Sequence, residues 1–130
     1  MPGGFKNPGF SMSSDSLSAR NSRNGRFVST TVTVADGLFK RMKGLLGKDS
    51  FPKGESLWIK PCRGIHTVGM KFPIDVLFLD SENVIVDIVE NIQPNRFSKI
   101  VFRARTVLEL PAGTVGESGI EVGDRLVFAS

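Results

Sequence analysis

Ile74-Asp75-Val76-Leu77-Phe78-Leu79 and Val84-Ile85-Val86-Asp87-Ile88-Val89-Glu90 flank the polar tetrapeptide Asp80-Ser81-Glu82-Asn83. Each flank is strand-length and rich in the β-branched and aromatic residues that suit a pleated surface, and the connection between them is a compact run of turn formers. The stretch predicts a β-hairpin. Working outward on the N-terminal side, residues 27–34 are rich in Val and Thr and read as a strand. Residues 56–60 read as another, ended by Pro61. On the C-terminal side, residues 100–102 form a brief strand, 104–110 a longer one and 125–128 a last one. Pro94 marks residues 91–99 as a loop, and Pro111-Ala112-Gly113 opens a single helical turn that runs through Glu117.

One principal helix interrupts this pattern. Asp36 stands as its N-cap, Leu38, Phe39, Met42, Leu45 and Leu46 fall at helical spacing, and Gly47 follows the stripe. Such a stripe packs against a sheet. Six or seven short strands with one helix define a β-dominated α+β domain, built as a small β-sandwich or as a curled, partly closed barrel.

The chain of 130 residues has the length of one domain, and its 40% hydrophobic and 23% charged residues are those of a globular protein. Residues 27–130 are expected to form that domain. Residues 1–26, rich in Gly, Ser and Asn with almost nothing apolar to bury, read as a disordered basic leader. Of the formal charge of +4, +3 belongs to this leader through Lys6, Arg20, Arg23 and Arg26 against Asp15. The remainder is near neutral, which argues against a surface that tracks phosphates, and no phosphate-binding glycine motif is present. The leader has no apolar stretch of secretory type, and Pro2, Gly3, Gly4, Pro8 and Gly9 oppose an amphipathic transit helix. No apolar run is long enough to span a bilayer. The single Cys62 cannot close an internal disulfide. A cytoplasmic protein is expected, with a small molecule or another protein as partner, no cofactor, and neither nucleic acid nor a membrane.

Two constellations could carry chemistry. Cys62, His66 and Met70 are spaced four and four, a soft-ligand set suited to Cu(I), and Cys62 beside His66 could also be a nucleophile with its base. Pro61, Gly64 and Gly69 weaken a helix here, so only a tight turn would bring Cys62 and His66 together. The plainer reading makes Cys62 and Met70 core residues and His66 a satisfied histidine. The second constellation is Asp75 and Glu109, each set among Leu side chains. Two carboxyls in one cleft could divide acid and base duties, whereas structural carboxylates would cap loop amides or pair with Arg103, Arg105 or Arg125. Asp80 and Asp124 lie beside turns and read as turn residues.

The motifs Lys43-Gly44-Leu45-Leu46-Gly47, residues 62–75 from Cys62-Arg63-Gly64-Ile65-His66-Thr67 to Ile74-Asp75, Val107-Leu108-Glu109-Leu110-Pro111-Ala112-Gly113 and Gly119-Ile120-Glu121-Val122-Gly123-Asp124 occur in this order. In them the chain resembles a bacterial and archaeal family of uncharacterised proteins, domain of unknown function 192. The resemblance implies a compact β-rich fold with no established activity. Many members look exported with a signal peptide, and this chain carries a polar leader in its place. The expected function is a non-catalytic binding module with its pocket near residues 61–73. Its ligand-binding candidates are His66, Thr67, Met70, Asp75 and Glu109. The alternatives are a small hydrolase or transferase on Cys62 and His66, or on Asp75 and Glu109, and a soft-metal site on Cys62, His66 and Met70.

Overall fold

The computed structural model describes residues 17–37 and 45–130. In chain order its elements are β1 (Leu17–Asn21), β2 (Phe27–Asp36), β3 (Glu55–Lys60), β4 (Ile74–Leu79), β5 (Ile85–Ile92), β6 (Thr106–Pro111), the short helix α1 (Thr114–Ser118) and β7 (Leu126–Ala129). The strands form one sheet in the order β5-β4-β6-β3-β2-β1-β7, with β2 and β3 parallel and every other pair antiparallel.

The sheet curls upon itself. Trp58 on β3 and Phe128 on β7 stack with ring centroids 3.7 Å apart, although two strands separate β3 from β7 in the sheet. The opposite edge meets the approach to β7 through backbone bonds. The Ile85 amide donates to Asp124 O at 2.8 Å, Gly123 N to Ile85 O at 2.8 Å and Leu126 N to Asn83 O at 3.0 Å. The architecture is therefore the curled, partly closed barrel and not a two-sheet sandwich.

Period-two alternation splits the core into two layers. Inside the curl lie Ala19, Val28, Val32, Trp58, Leu77, Leu79, Leu108, Leu110 and Leu126 from the strands, with Val115 of α1 against them. On the other face Leu57, Ile59, Ile74, Val76, Phe78 and Val107 are covered by Leu45, Met70 and Ala104 from the loops. Strand β4 is buried along its whole length. Its unbroken apolar run, interrupted only by Asp75, is that of a strand covered on both sides.

Several boundaries move. The segment assigned to a leader supplies β1 at residues 17–21 and the turn after it, inserted between β2 and β7. Composition over 26 residues conceals a five-residue strand whose buried positions are the small Ala19 and the polar Asn21. Residues 100–102 form no strand, and a turn begins at Phe102. Strand β5 runs on to Ile92 through a bulge at which β5 holds one more residue than β4, with Asn91 at φ 55°. The expected principal helix falls mostly on residues 38–44, outside the described residues. Asp36, read as its N-cap, ends β2, and Leu45 and Leu46 lie in a turn. The single helical turn after Gly113 is present as α1.

Candidate functional site

The loops at residues 61–73 and 93–105 run side by side as a two-ply ribbon over the second core layer. Thr67 N donates to Arg96 O at 2.8 Å, Ser98 N to Ile65 O at 2.9 Å, Val101 N to Arg63 O at 2.8 Å and Cys62 N to Arg105 O at 2.9 Å. Thr67 pins the ribbon. It is fully buried, its hydroxyl donates to Gln93 O at 2.6 Å and accepts from Arg96 N at 2.9 Å, and its carbonyl accepts from Asn95 and Met70. Its donor and both carbonyl lone pairs are used within the ribbon, which gives Thr67 a structural role.

The soft-ligand set is spread over different environments. The Cys62 thiol is half-buried and 3.0 Å from Gly64 O. His66 is exposed, with its ring 6.0 Å from that of Phe97 and its Nδ1 accepting from Val68 N at 3.2 Å. Met70 is buried among apolar side chains. Among the described residues no group of three or more His, Cys, Asp or Glu side chains is placed to hold a metal ion.

The two carboxyls cannot share a cleft. In the β4–β6 ladder Asp75 stands opposite Leu110 and Val76 opposite Glu109, which puts Asp75 on the face of Leu77 and Glu109 on the face of Val107. Asp75 is fully buried and satisfied. One oxygen accepts from Asn91 N at 2.8 Å, the other from Gly113 N at 3.1 Å and Val115 N at 3.0 Å. It ties β4 to the β5 bulge and to the first turn of α1, the amide-capping role expected of a structural carboxylate. Glu109 is 4% exposed between Leu57 and Val76, and burial pushes its carboxyl up to about 8. At neutral pH it is mostly the uncharged acid.

Beside the ribbon, the end of β5 and residues 93–99 enclose an open cleft of about 430 Å³. Val89, Ile92 and Phe97 supply apolar wall, Asn91, Gln93 and Ser98 neutral polar groups, and Arg96 and Lys99 two cations against the single carboxylate of Glu90. Sequence reading placed a pocket near residues 61–73 and missed these side chains, because residues 91–99 carry no motif. The signal was Phe97, an aromatic residue in a polar loop. Asp124 was also undervalued. It is buried, bonded by Asn21 Nδ2 at 2.7 Å, Arg23 Nε at 2.6 Å and Glu121 N at 2.8 Å, and the Arg23 guanidinium leads in holding its carboxyl down to about 2.

The fold and these sites define a class: a small curled β-sheet domain whose buried polar groups mainly hold its loops and termini together. The chain belongs to the DUF192 family, described as an uncharacterised ACR, whose model matches residues 19–128. The UPF0127 protein of Pyrococcus furiosus is 31% identical over 111 residues, covering 82% of this chain and 93% of that protein. The Pyrococcus horikoshii UPF0127 protein is 35% identical over 100 residues, 73% of this chain and 84% of its own length. A crystal structure of a protein of unknown function from Novosphingobium aromaticivorans superposes with a TM-score of 0.75 at 17% identity, covering 86% of this chain and 83% of that one. Another, of a Sinorhizobium meliloti protein described as a candidate transcription regulator, gives 0.73 at 27% identity, covering 91% and 98%. The family is one of unknown function.

Proposed function

We propose that the domain is a non-catalytic binding module whose ligand occupies the cleft between the end of β5 and residues 93–99. One observation carries the reading. The carboxyls that could do chemistry sit on opposite faces of the sheet, while a concave apolar surface with a few polar groups lies open at its edge. A cleft of about 430 Å³ is in the range that small ligands fill. Val89, Ile92 and Phe97 suit an apolar body, and Arg96 and Gln93 suit an anionic or hydrogen-bond-accepting end. A cytoplasmic location accompanies this reading, supported by the lone thiol of Cys62. Cell fractionation checks the location.

The test is a screen of small carboxylates with aromatic or aliphatic bodies, followed by amide chemical-shift mapping. Shifts confined to residues 89–99 and lost in Arg96→Ala support the cleft. Hits that map elsewhere, or that survive both Arg96→Ala and Val89→Ala, remove it.

A further inference from the structure

The ribbon presents a second surface, which shares Arg96 and Phe97 with the cleft and continues past it to Ile100 and Phe102. Ile65 and Val101 turn into the core, which leaves His66 and Val68 on one ply and Phe97, Ile100 and Phe102 on the other facing solvent. Phe97 is 78% exposed and Phe102 81%, so both rings stand clear of the body of the protein. Gly64 lets the plies meet: a Cβ there would lie 2.6 Å from Ile100 Cδ1. The charge of the ribbon is one-sided. Residues 61–73 and 93–105 hold Arg63, Lys71, Arg96, Lys99, Arg103 and Arg105 and no Asp or Glu. Lys71 and Lys99 reach Asp49 and Asp87 from neighbouring segments, whereas no ion pair to Arg96, Arg103 or Arg105 forms among the described residues.

Projecting aromatic and aliphatic side chains framed by exposed guanidiniums, of which Arg103 also feels the Asp87 carboxylate, match a particular partner. We propose that the ribbon adsorbs to an anionic lipid surface, with Ile100 and Phe102 entering the boundary between headgroups and acyl chains and Arg96 and Arg103 at the headgroup phosphates. Binding of this kind combines buried apolar area with attraction to anionic lipid, and it needs no membrane span. The absence of a long apolar run, which removed a membrane from the expected partners, therefore has no bearing on it. Single-stranded nucleic acid, which could stack on Phe97 and Phe102, is the competing occupant; the aliphatic Val68 and Ile100 between them favour lipid.

The experiment is sedimentation of the full chain with vesicles of phosphatidylcholine containing about one third phosphatidylglycerol, against vesicles of phosphatidylcholine only. The expected result is co-sedimentation with the anionic vesicles that is about tenfold or more weaker without phosphatidylglycerol. The double variant I100S/F102S, which leaves the cleft lining intact, is expected to bind about tenfold more weakly with an unchanged unfolding temperature. F102W gives a second readout: its fluorescence moves to shorter wavelength when anionic vesicles are added, over the constant signal of the buried Trp58. No co-sedimentation at low salt overturns the proposal. So does undiminished binding by I100S/F102S, which would reduce the effect to net charge, and so does an F102W spectrum that vesicles leave unchanged. An oligothymidylate that displaces the protein from vesicles and itself depends on Phe102 assigns the face to nucleic acid instead.

Discussion

At the scale of single residues, the buried acids separate by what surrounds them. Glu109 is held neutral by desolvation in the folded state, while its carboxyl ionises at its ordinary value in the unfolded chain. The stability it permits is present in full below about pH 4.5, and it falls as pH rises toward about 8, by a total on the order of a few kcal/mol. Denaturant titrations at pH 5 and pH 8 should show this loss in the wild type and a flatter dependence in Glu109→Gln. Asp124 behaves with the opposite sign. Its carboxylate, held down to about 2 by Arg23, contributes above the ordinary carboxylate range, and that contribution disappears as pH falls through about 2. Asp124→Asn should cost about 2 kcal/mol at pH 7 and make unfolding less acid-sensitive. The sequence marked Glu109 as anomalous, because it is a charge inside the otherwise apolar run from Val107 to Leu110. It gave no such sign for Asp124, whose partners Asn21 and Arg23 lie about a hundred positions away and come together only through closure of the sheet.

At the scale of elements, α1 is too short to be stable by itself, and its place depends on the acceptor beneath it. Asp75 supplies that acceptor to Gly113 and Val115 while holding the β5 bulge through Asn91. Asp75→Asn keeps the shape but exchanges one acceptor oxygen for a donor facing an amide. It should destabilise the domain by about 2 to 3 kcal/mol, measured by denaturant unfolding, with increased hydrogen exchange at residues 91 and 113–118. Gly113 adds a backbone constraint. At φ 94° it occupies a conformation that side chains disfavour, so Gly113→Ala should weaken the same junction. The strands from β3 to β6 were legible because their apolar residues alternate or run continuously. The ribbon was not, because residues 61–73 and 93–105 are ordered by hydrogen bonds between two irregular segments. Neither segment contains a period that would announce its partner.

At the scale of the whole molecule, the curl depends on its least conspicuous strand. β1 joins β2 to β7 and places Ala19 and Asn21 in the interior, yet its five residues look like the polar segment that precedes them. A chain beginning at residue 27, the boundary that composition suggests, would leave β2 and β7 without their common neighbour. It should lack the cooperative unfolding transition that a chain beginning at residue 17 retains, as followed by circular dichroism and calorimetry. Fold class was readable from local patterns, but the β1–β7 pairing was not, since it joins strands about a hundred positions apart. The same pairing governs the order of events during synthesis. Ser18 meets Ala129 across the β1–β7 ladder, a separation of 111 positions. A nascent chain emerging N-terminus first holds β1 early, but β7 becomes available only after the other six strands have been made. Until then the sheet stays open with two unpaired edges, and the interval before β7 docks is when the polypeptide is most exposed to aggregation and to capture by chaperones.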